Sequence, residues 1–493
     1  MRKLPCSSHP GDRTKSLSVA VLTALALAGC AIGPDYQRPD IDLPAQWRST
    51  PAADADVARP VSETGERWWS VYGDPVLERL VDEALSNNAD AAIATARVLE
   101  ARAIASQTDA NLYPDVSANF SGSRTRNTQR GTMPAGATPR MQNYYSATLD
   151  VSYEIDLWGK YRRASEAARA DIFAAESARE AVRLSLVAQV AQQYFALLAA
   201  DAQVEVARRT LTSRGETLNL FTRRVEAGTL SEYELHQAVA EREATRSQLA
   251  SLMQTQDRAE SALSVLLGRS PREVMSGAME RGTPAPVRDV VIPAGLPSEL
   301  LLRRPDLREA EEALIAANAR IGSARAQFFP SIGLTAFLGS ESTQFSDLFS
   351  GPAQVFQFAA AITQPIWNAG RIRAGVFITE ARRDQALARY RNAVASAFKD
   401  VRDALAAQSA ARETLTAETA RTAALEKALA QAQLRFDAGV SSRIEVLDVE
   451  RNLLSSELAR IDSERQRKSA LADMFKALGG GWPEPAPVGA LSR

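Results

Sequence analysis

Residues 145–156 read Tyr145-Ser146-Ala147-Thr148-Leu149-Asp150-Val151-Ser152-Tyr153-Glu154-Ile155-Asp156. Apolar side chains hold every odd position and polar ones every even position. Successive side chains of a strand point to opposite faces, so this stretch makes a strand with one face for oil and one for water. Its length fits the roughly 9–11 residues that a tilted strand needs to cross a bilayer. Three more segments carry related patterns, near 115–123, 331–339 and 355–364. In the last, Phe356, Phe358, Ala360 and Ile362 alternate with Gln357, Ala359, Ala361 and Thr363. A small closed barrel needs about eight strands. An open sheet edge cannot sit in lipid, because its N–H and C=O groups find no partner there. Either these strands lie outside a membrane, as the edge of a soluble β-sandwich, or several copies of the chain complete one barrel. The connections 124–143 and 340–354 are polar and rich in Gly, Ser, Thr and Pro, the pattern of exposed loops between barrel strands.

The strands sit inside a duplication. Arg224-Val225-Glu226-Ala227-Gly228 matches Arg435-Phe436-Asp437-Ala438-Gly439, and Leu267-Gly268 matches Leu478-Gly479, both displaced by 211 residues. Asn111-Leu112-Tyr113-Pro114 matches Gln327-Phe328-Phe329-Pro330, and Asp90 matches Asp306, both displaced by 216. A period this long means two domain-sized halves rather than a solenoid. Each half reads helix, strand pair, long helix, turn, helix. The first runs over 89–267, with a tip turn at 224–232. The second runs over 305–478, with a turn at 435–443. The long helices, from Lys160 to Val225 and from Arg371 to Asp437, contain no proline and span on the order of 100 Å each. Val190, Leu197, Val204, Leu211, Leu218 and Val225 form a seven-residue stripe, which means left-handed coiled-coil packing. The displaced stripe Val401, Gln408, Leu415, Thr422, Leu429, Phe436 is weaker, with Ala397, Ala404, Ala411 and Ala432 on the adjacent seam. The shorter helices cover 231–267, 442–478, 89–112 and 306–328. Trp68 to Asn88 reads as a further short helix. The segments 31–66, 268–297 and 479–493 read as irregular, the last as a loose tail.

The N-terminus is a leader. Arg2, Lys3, Arg13 and Lys15 precede the apolar run from Leu17 to Ala28, which is too short to span a bilayer and reads as a signal h-region over 1–29. Leu27-Ala28-Gly29-Cys30 resembles the bacterial lipoprotein box. The resemblance makes Cys30 the lipidated new N-terminus, bearing N-palmitoyl and S-diacylglycerol groups; the alternative is an ordinary cleaved signal with an incidental cysteine. Ala31, which is not aspartate, permits export to the outer membrane. The chain has 58 basic and 59 acidic residues, which argues against a nucleic-acid partner. Its two cysteines, Cys6 and Cys30, cannot build a disulfide framework in the mature chain. His236 is the sole histidine after the leader, and no phosphate-cradling glycine loop or clustered metal ligands appear. The chain is expected to have no catalytic activity and no cofactor beyond the lipid on Cys30.

Pro293-Ala-Gly-Leu-Pro297-Ser-Glu-Leu-Leu-Leu-Arg-Arg-Pro305-Asp306, Ala316-Ala317-Asn318-Ala319-Arg320-Ile321-Gly322 and Phe329-Pro330 resemble the outer membrane factor (TolC-like) family. Gly33-Pro34-Asp35-Tyr36, Trp68-Trp69, Asp74-Pro75 and the two Arg-x-x-x-Gly-x-x-Ser turns add to this. The closest branch is the lipoprotein channels of tripartite RND multidrug efflux pumps (OprM/NodT-like). The resemblance implies a mainly α fold with transmembrane β. Four strands from each protomer of a homotrimer would make a twelve-stranded β-barrel. It would continue into a twelve-helix α-helical coiled-coil barrel, with a mixed equatorial belt built from residues 30–88, 268–304 and the C-terminal region. It implies a passive exit duct through the outer membrane. The implied partners are a periplasmic adaptor (membrane fusion) protein and an inner-membrane RND transporter. A protein or metal-ion export duct is the nearest alternative; seven scattered methionines argue against soft-metal cargo. A lipid-anchored coiled-coil scaffold without a pore is the alternative from a different class.

The turns carry the candidate sites. In the family such turns form the periplasmic tip that receives the adaptor, which would assign docking to Arg224, Gly228, Ser231, Arg435, Gly439 and Ser442. Gly228 and Gly439 suit helix-terminating left-handed positions, and Ser231 and Ser442 suit caps of the next helices. By match to the family motif in Gly439-Val-Ser-Ser-Arg-Ile-Glu-Val-Leu-Asp-Val-Glu-Arg451, the periplasmic gate would be Ile444, Asp448 and Arg451. These share one helix face by their spacing. Without the resemblance, Asp448 and Arg451 are equally a plain surface ion pair. The first half has Tyr233, Gln237 and Ala240 at the equivalent places.

Overall fold

A computed structural model describes residues 32–43, 59–60, 67–128, 140–283, 290–291 and 303–480. Cys30, the leader, and residues 481–493 of the tail lie outside the described residues. Two compact units emerge from the chain's contacts. One holds the described residues up to Asp40 and those of Val98–Ala175 and Ala310–Tyr390. The other holds those of Ile41–Arg97 and Glu176–Glu309 and those from Arg391 onward.

The elements, in chain order, are β1 (Arg59–Pro60), α1 (Pro75–Asn87), α2 (Ala89–Ala110), β2 (Asp115–Arg126), β3 (Met141–Ile155), α3 (Lys160–Glu226), α4 (Glu232–Leu266), α5 (Pro271–Ser276), β4 (Val290–Val291), α6 (Pro305–Ala326), β5 (Ser331–Ser342), β6 (Gln354–Thr363), α7 (Arg371–Asp437) and α8 (Arg443–Ala477). The strands β2, β3 and β5 reach further into their connections than the alternation alone suggests. Two expectations are corrected. The helix read over 68–88 is a 3-10 turn at Trp68–Tyr72 followed by α1. The break falls where Pro75 pushes Asp74 into the extended region and Asp74 restarts the helix as its cap. The irregular stretch after Gly268 contains α5, which Ser270 and Glu273 close with a capping box and Pro271 opens.

The first unit is built on one antiparallel sheet of order β2-β3-β5-β6. Its register sets apolar residues opposite one another along one face. Phe120 faces Ala147, Leu149 faces Leu338, Val151 faces Ala336, and Leu338 and Ile332 face Phe356 and Ile362. A one-residue slip of any strand would turn its whole apolar set over. The opposite face is polar and internally bonded: Asn119 donates to Asp150 at 2.7 Å, Thr148 to Asp150 at 2.9 Å, and Ser121 and Ser146 lie 2.9 Å apart. Val116, Phe120, Leu149, Leu338, Phe356, Phe358 and Ile362 are exposed. β2 and β6 are the edges, each paired on one side only. Among the described residues no helix is long and apolar enough to cross a membrane.

Beside the sheet, α3 and α6 approach through alanines: Ala167, Ala170, Ala316 and Ala319 form a buried cluster. The segment 32–38 lies along this pair. Ile32 N–H donates to the Trp158 carbonyl at 3.2 Å, and Asn318 Nδ2 donates to the Pro34 carbonyl at 2.8 Å. Arg163 pairs with Asp35 at 2.7 Å, and Tyr36 and Arg38 both bind Glu311. Gly33 crosses Gly322 so closely that a Cβ on Gly322 would sit 2.5 Å from the Ile32 carbonyl oxygen. Burial and the adjacent Glu311 carboxylate hold the Tyr36 phenol well above its ordinary range.

The second unit has an aromatic core. Trp68 stacks on Phe475 at 5.0 Å and Tyr72 meets Phe195 at 4.6 Å. Asp74 caps α1 and accepts from the Tyr194 hydroxyl at 2.7 Å. The Arg-Pro-Asp motif is a packing node: buried Arg304 reaches Asp306 at 2.7 Å, Asp400 at 3.0 Å and the Ala477 carbonyl at 3.0 Å. The heptad stripe is buried at Val190, Leu197 and Val204 and only half-buried at Leu211 and Leu218. From there burial moves to Ala207, Arg214 and Phe221, one seam over. Along α7 the alanine seam Ala397, Ala404, Ala411 and Ala432 is buried, as is Thr422, whose hydroxyl lies 2.8 Å from that of Ser456.

Replacing Gly322 with valine should therefore lift segment 32–38. The expected result is faster hydrogen exchange at the Ile32 amide while the β3–β5 ladder stays protected, read by mass spectrometry.

Candidate functional site: the helix turns and an arginine network

Both turns close the long helices in the same way. Gly228, at φ 70°, sends its N–H to the Val225 carbonyl at 2.8 Å, and Thr229 N–H reaches the Arg224 carbonyl at 2.8 Å. Gly439, at φ 72°, repeats this with Phe436 at 2.9 Å, and Val440 with Arg435 at 2.9 Å. This is the Schellman arrangement, in which a left-handed residue lets the chain return bonds to the last carbonyls. Around both glycines a Cβ would meet open space, so backbone conformation and not crowding selects glycine.

The next helices begin differently. Ser231 caps α4 with a full capping box to Glu234. Ser442 occupies the corresponding position on α8, but its side chain makes no capping bond. That expectation is corrected: the Glu445 N–H, which a capping Ser442 hydroxyl would take, donates instead to the Ser442 carbonyl at 3.2 Å. Arg224 is exposed, and its carbonyl accepts from the Thr229 hydroxyl at 3.0 Å.

The three gate candidates lie on the first turns of α8. Ile444 is exposed. Asp448 and Arg451 bond to each other, and Arg451 also reaches Glu241 on α4 at 3.3 Å. The Arg451 side chain is 58% exposed in the single chain. In the first half, Gln237 Nε2 donates to the Tyr233 hydroxyl at 2.9 Å, and Ala240 is exposed.

The structure adds the buried Arg214 and Arg443 with their partners to this set. Arg214, on α3, is buried with its side chain 6% exposed; it pairs with Glu241 at 3.0 Å and donates to the Glu241 carbonyl at 2.7 Å and to Thr245. Arg443, on α8, is buried between the rings of Phe221 and Phe436, with its guanidinium 5.5 and 5.4 Å from their centroids. It donates to Gln433 at 3.3 Å and pairs with Glu450 at 3.4 Å. Burial raises the Glu450 carboxyl above its ordinary range, against the opposing pull of Arg443 and Arg214. One network thus runs Arg214–Glu241–Arg451–Asp448 across α3, α4 and α8, and Arg443 ties α8 to α3 and α7. No repeat signal marks these arginines: by the 211-residue displacement Arg443 corresponds to Glu232 and Arg214 to Leu425. The one clue in the sequence was Arg214 itself, seven residues from both Ala207 and Phe221 on the buried seam. Among the described residues no group of three or more His, Cys, Asp or Glu is placed to hold a metal ion.

A mainly helical chain with one four-stranded sheet of membrane length and paired helical turns fits a class, the outer-membrane export channels. Comparison gives the family. The family model described as "Outer membrane efflux protein" matches residues 80–269 and 296–480. The probable outer membrane lipoprotein SilC of Salmonella typhimurium is 37% identical over 473 residues, covering 96% of this chain and 100% of that protein. The cation efflux system protein CusC of Escherichia coli is 36% identical over 458 residues, covering 93% and 98%. The toluene efflux pump outer membrane protein TtgC of Pseudomonas putida is 36% identical over 472 residues, covering 96% and 96%. The crystal structure of the Campylobacter jejuni CmeC outer membrane channel superposes with a TM-score of 0.86 at 26% identity, covering 93% of this chain and 96% of that one. The chain belongs to the outer membrane efflux protein family and has the TolC-like fold. It is an outer-membrane efflux channel protein with a long periplasmic extension.

Breaking the buried pair should cost more than breaking the exposed one. Arg214→Ala leaves Glu241 without its closest partner and should lower stability by about 3 kcal/mol. Arg451→Ala should cost no more than about 1 kcal/mol. Denaturant unfolding of both variants checks the order.

Proposed function

We propose that three copies of this chain form a passive exit duct for a tripartite multidrug efflux pump. The observation that carries this is the four-stranded sheet with one exposed apolar face and two unpaired edges. In lipid those edges need partners, and identical copies supply them, β6 of one to β2 of the next. Three copies give twelve strands, within the range of closed membrane barrels. The long helices of the copies would line a twelve-helix periplasmic tunnel. Cys30 bears the lipid anchor, in keeping with the name of the lipoprotein relative. The duct performs no catalysis; energy comes from an inner-membrane RND transporter, coupled through a periplasmic adaptor that docks on Arg224, Gly228, Ser231, Arg435, Gly439 and Ser442.

Ile444, Asp448 and Arg451 are the gate. Threefold symmetry makes a ring of each: an apolar ring resists wetting, and a carboxylate ring beside an arginine ring sets an electrostatic barrier. Arg451 also holds α8 to α4 through Glu241, so opening must loosen that tie. Drug-like apolar cargo is the reading we favour, supported by the toluene-pump relative. A cation duct is the second reading, supported by the equally similar cation efflux relative.

Electron microscopy of the detergent-extracted protein tests the duct. A hollow threefold particle is expected, and a monomer or a solid rod would replace the duct with a lipid-anchored scaffold. The gate has its own test: Asp448→Ala with Arg451→Ala should raise the conductance of the isolated channel in planar bilayers, and unchanged conductance would remove these residues from the gate.

A further inference from the structure

The two halves of the chain treat one junction differently. In the first half Trp158 lies between the end of β3 and the start of α3. Its ring meets Phe329 with centroids 4.9 Å apart and planes at 31°. Its Nε1–H donates to the Pro330 carbonyl at 2.8 Å. Phe329-Pro330 is the link from α6 into β5, and β5 is the strand that pairs with β3. The tryptophan that follows one strand is thus bolted to the aromatic-proline pair that precedes its neighbour, which fixes the seam between them at its end.

The counterparts of these residues make no such contact, the tryptophan now coming from the second half and the aromatic-proline pair from the first. Trp367 lies between β6 and α7, and Tyr113-Pro114 links α2 into β2. Pro114 is displaced from Pro330 by the 216 residues of the repeat. Yet Trp367 is 87% exposed and Tyr113 70% exposed. An indole so exposed on a membrane protein, with an N–H donor as well as an apolar body, is built for a partner that offers both a ring and an acceptor. The strands beside these residues are β6 and β2, the two unpaired edges.

The loop that presents Trp367 is set in place. Gln364 Nε2 donates to the Phe328 carbonyl at 3.1 Å and to the Pro365 carbonyl at 3.1 Å. Ala369, two residues after Trp367, stands at φ 50°, the one non-glycine residue of positive φ among the described residues. A left-handed alanine is unfavourable, and such strain persists where surrounding structure or function holds it. Trp367 stands four residues before α7 and Trp158 two before α3, so the extra pair Asn368-Ala369 gives this loop a reach of its own.

We propose that Trp367 of one copy docks on Tyr113-Pro114 of the next, stacking on the tyrosine ring and donating its Nε1–H to the Pro114 carbonyl. The occupant is a second copy of this chain, because the intramolecular Trp158 contact is the template and only another copy brings β2 to the free edge of β6. The contact rests on the multi-copy barrel proposed above and names the bolt that closes each of its seams between chains.

Cysteine cross-linking tests it in the full chain. Trp367→Cys with Tyr113→Cys, treated with a short bis-thiol reagent, should give covalent dimers and trimers on a denaturing gel. Either single variant should give monomer only. Trp158→Cys with Phe329→Cys should cross-link within one chain, which calibrates the reach of the reagent. Threefold particles by microscopy that yield no cross-linked species would overturn the contact and leave the trimer standing. Monomeric particles would overturn the barrel reading and the contact with it. Substitution supplies a second readout. Trp367→Ala should speed subunit dissociation on the order of tenfold, and Trp367→Phe, which keeps a ring but loses the donor, by less. Dissociation rates equal to the parent in both variants would count against the contact as surely as a missing cross-link.

Discussion

Everything about this chain turns on the backbone's need for hydrogen-bond partners where water is absent. A strand in lipid must be paired on both sides, since each orphaned N–H or C=O costs several kcal/mol. The four strands satisfy one another in the order β2-β3-β5-β6 and leave two edges open. The apolar face formed by Phe120, Leu149, Leu338, Phe356 and Ile362 draws the sheet toward hydrocarbon, and the open edges forbid it to go alone. Self-association, as proposed above, would resolve this with this sequence alone. Membership of the outer membrane efflux protein family agrees with it, and so does the exposed tryptophan beside the free edge of β6.

The helical turns face the opposite problem. They stand in water, where hydrogen bonds are cheap and specificity must come from buried charge. Arg214 and Arg443 meet that need. Each is a guanidinium withdrawn from solvent and compensated by carboxylates, carbonyls or aromatic faces from other helices. A buried ion pair adds little net stability compared with an apolar core, but it penalises wrong registers strongly. Long alanine-rich helices need such a device, because an alanine seam such as Ala397, Ala404 and Ala411 slides with little change in contact. The exposed pair Asp448–Arg451 is of another kind. It is exposed and easily broken, which would suit the gate proposed above.

Much of the fold was legible in the sequence. The alternation at 145–156 marks β3, the missing prolines mark α3 and α7, and the displacements of 211 and 216 residues mark the duplication. Pro114 and Pro330 mark the helix-to-strand switches because proline bars the preceding residue from the α region. The failures were local. Amphipathic spacing runs on through Gly73-Asp74 and hides the break between Trp68–Tyr72 and α1, although Asp74-Pro75 is itself a start signal. Ser442 reads as a cap as well as Ser231 does; what separates them is that the Glu445 N–H turns to the Ser442 carbonyl while the Glu234 N–H takes the Ser231 hydroxyl, a difference of first-turn geometry that residue type does not set.

The sequence by itself determined the periodicities: which residues face oil, which helices are long, where they turn, and that the unit occurs twice. These are local properties, fixed by the geometry of strand and helix and by the conformations open to proline and glycine. Only the tertiary structure decided the partners. Arg214 meets Glu241, Arg443 lies between Phe221 and Phe436, Gly33 crosses Gly322, and Trp158 is covered while Trp367 is bare. Such pairings depend on where elements distant in sequence come to lie, and no periodicity along the chain encodes that. The duplication makes the point sharply. Two tryptophans at corresponding junctions differ because β3 is paired on both sides within the chain and β6 on one side only.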